Sequence, residues 1–205
     1  MRKTPFLSRE QVAAVEEIAT IAAGQAGNAL SRLLKIPIRV GVPEVTNVKL
    51  SDIPALFGGL DAPAIGVLVP FQGDIEGNAL LLFPEAGIKE LEEMLFGSSG
   101  QAEGDLRLSA FAEIGNIITG SLLTVFWSFS ERVVVNLPPF LVQDMAGAIL
   151  DAILGEVGTL SDEVTTLTFN LTGLEDASLV KSVLIPGNAG IELFLEAAGR
   201  LRTGR

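Results

Sequence analysis

Apolar positions recur at helical spacing from about Ser8 to Leu34, at Val12, Val15, Ile18, Ile21, Ala22, Leu30 and Leu33. The segment therefore predicts a first helix, with Ser8 as its N-cap and Pro37 beyond its end. The period then changes from helical to alternating. In PIRVGVPEV, Ile38, Val40 and Val42 share one face of a strand that closes at Pro43. After a Gly- and Pro-rich connection, PAIGVLVPFQGDIEGNALLLFP predicts two apolar strands around the turn-rich QGDIEG, and EAGIKELEEMLFG a short amphipathic helix. Residues 97 to 105, GSSGQAEGD, have the composition of a linker.

The order then repeats. A second helix is expected from about Leu108 to Ser130, followed by RVVVNLPPF, a helix over QDMAGAILDAILGEVG, and two strands, EVTTLTFNLTG and SLVKSVLIP. The final NAGIELFLEAAG mirrors EAGIKELEEMLFG. Glu17 and Glu113 are offset by 96 residues, as are Pro43 and Pro139, while Pro84 and Pro186 are offset by 102. A nearly constant offset at separate landmarks indicates an internal duplication. The predicted fold class is α/β (α+β): halves 8–97 and 106–200 of one domain, related by a pseudo-two-fold, with long helices on a mainly antiparallel sheet.

Composition narrows the chemistry. At 205 residues and 48% hydrophobic, the chain can bury a sizeable core. It has no cysteine, histidine or tyrosine. Disulfides, thiolate metal sites, cysteine nucleophiles and the Ser–His–Asp triad are thereby excluded, as is the commonest general base near neutral pH. The net charge of −11 argues against nucleic acid as a partner. Apolar runs are expected to be broken by Gly, Pro or charge before the roughly 18 residues that would span a bilayer, so no membrane insertion is expected. The amino terminus does not read as a secretory signal, and the expected location is cytoplasmic.

Between Leu108 and Ser130 the only charged side chain is Glu113. On a helix Ser109, Glu113 and Asn116 emerge on one face over two turns. A solvated face usually carries several Lys and Glu; this strip has one acid, flanked by Ala110, Ala112, Gly115 and Gly120. The two readings are a plain water-facing strip, with Phe111, Ile114, Ile117, Ile118, Leu122 and Val125 packed inward, and a low surface that receives another protein.

Asp or Ser, three residues, Glu, two residues, Asn, twenty-two residues and Pro is the signature of the CheC, CheX and FliY chemotaxis phosphatases, and Ser109, Glu113, Asn116 and Pro139 fit every position. The words AEIGNIITGSLL in the second half, and VEEIATIAAGQAGNALSRLL followed by VPEV in the first, also resemble that family's two helices. The chain is most similar to a CheC-type protein with one intact and one degenerate site. The resemblance implies hydrolysis of the aspartyl phosphate of a CheY-like response regulator. In that scheme Glu113 pairs with the partner's lysine, Asn116 orients the attacking water, and Ser109 and Pro139 shape the site. No cofactor or metal of the chain's own is implied; Mg²⁺ is expected in the phosphorylated partner. Response regulators are commonly acidic around the phosphorylation pocket, so a chain of charge −11 is expected to meet net repulsion there.

In the first half Glu17 and Pro43 remain, but Ala13 and Thr20 stand where Asp or Ser and Asn are expected. Thr20 is short and β-branched and offers only a hydroxyl, so this copy is read as weak or inactive. The resemblance also implies CheD as a possible second partner; the candidate surface is DMAGAILDAILGE, with Asp144, Asp151 and Glu156 at its polar edge, although its apolar stripe has core spacing. Two other classes stay open: a non-enzymatic chemotaxis or flagellar-switch adapter that binds the phosphorylated regulator or CheD, and an acid/base enzyme using paired carboxylates. Against the latter, Glu90, Glu92 and Glu93 read as a solvated face beside Lys89, and no Gly-rich phosphate loop is present.

Overall fold

The computed structural model describes residues 7–97, 104–130, 132–157, 163–174 and 178–203. Helix α1 (Arg9–Leu34) starts as its sequence predicts: Gln11 N–H donates to Ser8 Oγ at 3.2 Å, while Ser8 N–H donates to Gln11 Oε1 at 2.8 Å. This reciprocal capping box satisfies two N–H groups at the helix start. Lys35, in the left-handed region at φ 59°, ends the helix before Pro37.

The next segment differs from expectation. Strand β1 (Arg39–Val40) has two residues, and the main strand, β2 (Glu44–Lys49), lies after Pro43. Both pair with the same neighbour, from Arg39 opposite Thr172 to Lys49 opposite Glu163, and Gly41 N–H donates to Asn170 O between them. Pro43 interrupts an edge strand instead of closing it, as a residue without an N–H can at an edge. Val42, expected to share one strand face with Ile38 and Val40, is 86% exposed.

The Gly- and Pro-rich connection contains a short 3₁₀ turn (Leu50–Asp52) and α2 (Ile53–Phe57), which buries Ile53 and Phe57. Strands β3 (Pro63–Gly73) and β4 (Gly77–Pro84) and helix α3 (Glu85–Phe96) follow as predicted. Most of the expected linker lies outside the described residues, and Gly104 and Asp105 already belong to α4 (Gly104–Ser130), which starts four residues earlier than predicted.

After β5 (Val134–Asn136), Pro139 repeats the role of Pro43, because β6 (Phe140–Met145) continues along the same neighbour. The predicted helix over QDMAGAILDAILGEVG therefore begins only at Ala146, as α5 (Ala146–Val157). Gln143, Asp144 and Met145 pair with Ile65, Ala64 and Pro63 of β3. Strands β7 (Glu163–Thr172) and β8 (Ser178–Pro186) and helix α6 (Asn188–Thr203) complete the chain.

The sheet order is β1–β7–β8–β4–β3–β5, with β2 also on β7 and β6 also on β3, and every pairing is antiparallel. Its centre is the ladder between β4 and β8, from Gly77 opposite Pro186 to Leu82 opposite Lys181. Each half's interrupted edge strand pairs with the other half's hairpin, the arrangement a two-fold between β4 and β8 produces. Alternation along the strands separates two cores. Ala79, Leu81 and Phe83 of β4 join the larger core with α1, α4 and α6, whereas Leu80 and Leu82 join the smaller one with α2 and α5.

Helix α4 corrects the expectation about apolar runs: Gly104–Phe129 is, by length and composition, apolar enough to cross a bilayer. Its apolar residues serve the core. Phe111, Ile114, Ile118, Leu122 and Phe126 are buried, Phe111 meets Phe83 edge-on at 5.1 Å, and Phe126 stacks on Phe194 of α6 at 4.2 Å.

The approach of α4 to the sheet is set at Gly115, where an added Cβ would lie 2.7 Å from Val67 Cγ1 and 3.5 Å from Val69 Cγ2. In α1, a Cβ at Gly24 would meet nothing within 4 Å. Gly115→Val is expected to destabilise the protein by about 1–3 kcal/mol through overpacking. Gly24→Ala should stabilise it by about 0.5–1 kcal/mol through helix propensity. Urea unfolding midpoints of the two variants against wild type check both signs.

Candidate functional site

The three members of the α4 strip occupy different environments. Ser109 and Glu113 are exposed, and Asn116 is half-buried. The Ser109 hydroxyl donates to the Asp105 carbonyl at 2.7 Å, a contact within its own helix. The Glu113 carboxylate has no hydrogen-bond or ion-pair partner among the described residues. Asn116 lines an open groove of about 610 Å³ between α1 and α4, together with Gln25 and Arg32 of α1 and Ile117, Gly120, Ser121 and Thr124 of α4. Its Oδ1 is buried and accepts no hydrogen bond among the described residues, an arrangement costing about 1–3 kcal/mol. Glu90 Oε2, Thr119 Oγ1, Asn136 Oδ1 and Ser182 Oγ share this condition among the described residues, but of these residues only Asn116 lines the groove.

Pro139, half-buried, lies in the short connection between β5 and β6. That connection is held to the sheet by Leu137 N–H donating to Pro70 O at 2.8 Å, and to the helix by Asn136 Nδ2 donating to the Asn116 carbonyl at 3.2 Å. The structure thus brings Asn116, Asn136 and the Pro139 segment together. Asn136 carried no signal in the sequence beyond its place three residues before Pro139.

The first copy uses its polar groups differently. Glu17 and Thr20 are exposed, and Pro43 is buried. The Thr20 hydroxyl donates to the Glu16 carbonyl at 2.8 Å, and Glu16 Oε1 accepts from Val45 N–H at 3.4 Å. Here a helix side chain is tied to β2. Thr20 does not line the α1–α4 groove.

The CheD candidate surface is largely core: Ile149, Leu150, Ile153 and Leu154 are buried against β3 and α2. Asp151 is exposed on α5, and Asp144 sits on β6. Among the described residues no three acidic side chains converge as a metal site requires.

Arg107, just before the strip, is a second residue the sequence did not single out. It pairs with Glu92 of α3, donates from Nη1 to Gln143 Oε1 of β6 at 2.8 Å, and lies 5.9 Å from the Phe111 ring centroid. The Arg107 and Glu92 side chains are only 24% and 21% exposed. Three elements are thereby fixed at the base of the strip.

A family model described as chemotaxis phosphatase CheX matches residues 65–157. That window holds Ser109, Glu113, Asn116 and Pro139 and leaves out α1. The CheY-P phosphatase CheC of Bacillus subtilis (strain 168) is 26% identical over 161 residues, covering 76% of this chain and 77% of that protein. Thermotoga maritima FliY has a similar fold, with a TM-score of 0.73 at 20% identity over 96% of this chain and 99% of that one. A similar fold also occurs in the CheX–CheY–BeF₃–Mg²⁺ complex of Borrelia burgdorferi, with a TM-score of 0.54 at 16% identity over 83% of this chain and 96% of that one.

Arg107→Ala is expected to cost about 1–2 kcal/mol, a value reduced by partial exposure, because Glu92 is left without its cation. Adding Glu92→Ala should recover part of that loss, which a double-mutant cycle of unfolding free energies measures.

Proposed function

The chain belongs to the CheC/CheX/FliY family of chemotaxis proteins, and from that premise we propose that it hydrolyses the aspartyl phosphate of a CheY-like response regulator. The observation that carries the proposal is the contrast between the two copies. Asn116 stands at a groove with its carboxamide oxygen unpartnered, while Thr20 at the equivalent position directs its hydroxyl into its own helix. A carboxamide both donates and accepts, so once the side chain turns its buried oxygen into the groove it can hold one water by two contacts and aim the water's lone pair at phosphorus.

The chemistry asks for little more. Water attacks in line, the bond between phosphorus and the aspartyl oxygen breaks, the carboxylate leaves, and the water's protons pass to the phosphate product and solvent. An acyl phosphate has a good leaving group, so positioning supplies the acceleration without a histidine or cysteine. The Mg²⁺ and the lysine that balance the phosphoryl charge belong to the partner. Glu113, exposed and unpaired among the described residues, docks on that lysine, while Ser109 and Pro139 shape the surface around Asn116. The reaction takes place in the cytoplasm with the regulator. Glu17, exposed, remains in the first copy as a docking residue without a water-positioning group beside it.

Asn116→Ala is expected to lower the acceleration of phosphate release on the order of 100-fold, about 2.7 kcal/mol, with Thr20→Ala close to wild type. The measurement is phosphate release from a Mg²⁺-loaded, phosphorylated CheY-like regulator. A wild type that binds the phosphorylated regulator without accelerating its hydrolysis would make the protein an adapter.

A further inference from the structure

The α1–α4 groove has one charged residue in its lining, Arg32 of α1. Arg32 is exposed and has no hydrogen bond or ion pair among the described residues. Arg9, Lys35 and Lys49 share that condition, and what sets Arg32 apart from them is its place in the groove. It shares its groove with Asn116, whose orphaned carboxamide is the centre of the function proposed above.

The duplication sharpens the point. By the 96-residue offset that relates Glu17 to Glu113, Arg32 corresponds to Ser128 and Asn116 to Thr20. A two-fold that exchanges α1 and α4 carries the pair Arg32 and Asn116 onto the pair Ser128 and Thr20. Arg32 and Asn116 both line the groove, whereas of the mirrored pair Ser128 lines it and Thr20 does not.

An arginine here has a ready counterpart. An aspartyl phosphate beside Mg²⁺ is surrounded by the carboxylates that hold the ion, so the rim of the partner's pocket is anionic. The average charge of −11 repels such a surface, and a local cation at the point of contact opposes that repulsion. Guanidinium is suited to the task, because its planar fork binds a carboxylate by two parallel hydrogen bonds.

We propose that Arg32 is a docking residue that seats the acidic rim of the regulator's phosphorylation pocket in the α1–α4 groove beside Asn116. This rests on the phosphatase reading above but acts at binding, so the two are separable. Docking through carboxylates predicts an effect on affinity. Contact with the phosphoryl oxygens in the transition state would instead appear in kcat.

The test uses the full chain and the CheY-like regulator encoded by the same genome. Affinity is measured with the regulator loaded with Mg²⁺ and beryllofluoride, and kinetics with the phosphorylated form. Arg32→Ala is expected to raise both Kd and KM about 10-fold, equivalent to about 1.4 kcal/mol, with kcat within about twofold of wild type. Arg32→Glu should raise them further, and Arg32→Lys should recover most of the affinity. Near 0.5 M salt, where the screening length falls below about 5 Å, the gap between wild type and Arg32→Ala should narrow. Arg9→Glu is the charge control, because Arg9 lies about 34 Å from Arg32 along the same helix. Kd values for Arg32→Ala and Arg32→Glu within twofold of wild type would overturn the proposal. So would a fall in kcat with KM unchanged. If wild type does not accelerate hydrolysis, the phosphatase reading fails while the beryllofluoride Kd values still decide the role of Arg32.

Discussion

The antiparallel ladder between β4 and β8 is the constraint on which the rest of the protein depends. Its six pairs, from Gly77 opposite Pro186 to Leu82 opposite Lys181, are where the central hairpins of the two halves meet. With the hairpins joined, each half's edge strand is placed on the other half's hairpin: β1 and β2 on β7, β5 and β6 on β3. The long helices α1 and α4 are then laid side by side on one face, over a core that includes Leu81 and Phe83. The groove between them is lined by residues of both halves, Gln25 and Arg32 from one, Asn116 and Ser121 from the other. A site of this kind has no counterpart in either half alone, and a defect in the central ladder reaches the groove without touching any residue in it.

Much of this was legible in the sequence, for identifiable reasons. Helices α1 and α4 carry a helical apolar period over more than twenty residues, and the β3–β4 hairpin has two apolar runs around QGDIEG, so local pattern and tertiary structure agree. The edges were misread where they disagree. In β6 the sequence FLVQDM runs straight into the apolar period of α5, and only pairing with β3 holds Gln143 to Met145 extended. Pro43 read as a stop, yet both it and Pro139 are interruptions that an edge strand tolerates. The strip of Ser109, Glu113 and Asn116 was visible by spacing. Arg107 and Asn136 were not, because their partners are 15, 36 and 20 residues away in sequence and no local rule links them.

The two copies also show how one scaffold diverges without a change of fold. Both tie a long helix to an interrupted edge strand by a side chain, but in opposite directions. In the first copy the helix supplies the group, with Glu16 accepting from Val45 N–H of β2. In the second the strand supplies it, with Asn136 donating to the Asn116 backbone carbonyl. The direction decides what remains available. Glu16 is held by its structural contact, and Thr20 one turn on returns its hydroxyl to the Glu16 carbonyl. Asn136 grips α4 through a backbone atom and leaves the Asn116 side chain without a partner among the described residues.

Under the phosphatase function proposed above, that difference bears on how a chain without histidine or cysteine would hold a reactive face. Where positioning is the main contribution to rate, the positioning group must be fixed by its backbone and free at its tip. Gly115 sets the first condition from the sheet side, since its missing Cβ lets α4 sit against Val67 and Val69. Asn136 sets it from the edge strand, and Arg107 braces the start of the helix against α3 and β6. These contacts immobilise the turn that carries Asn116 without engaging its carboxamide. Asn116 is thereby anchored through its backbone while its carboxamide oxygen, buried at the groove, stays free of any hydrogen bond among the described residues.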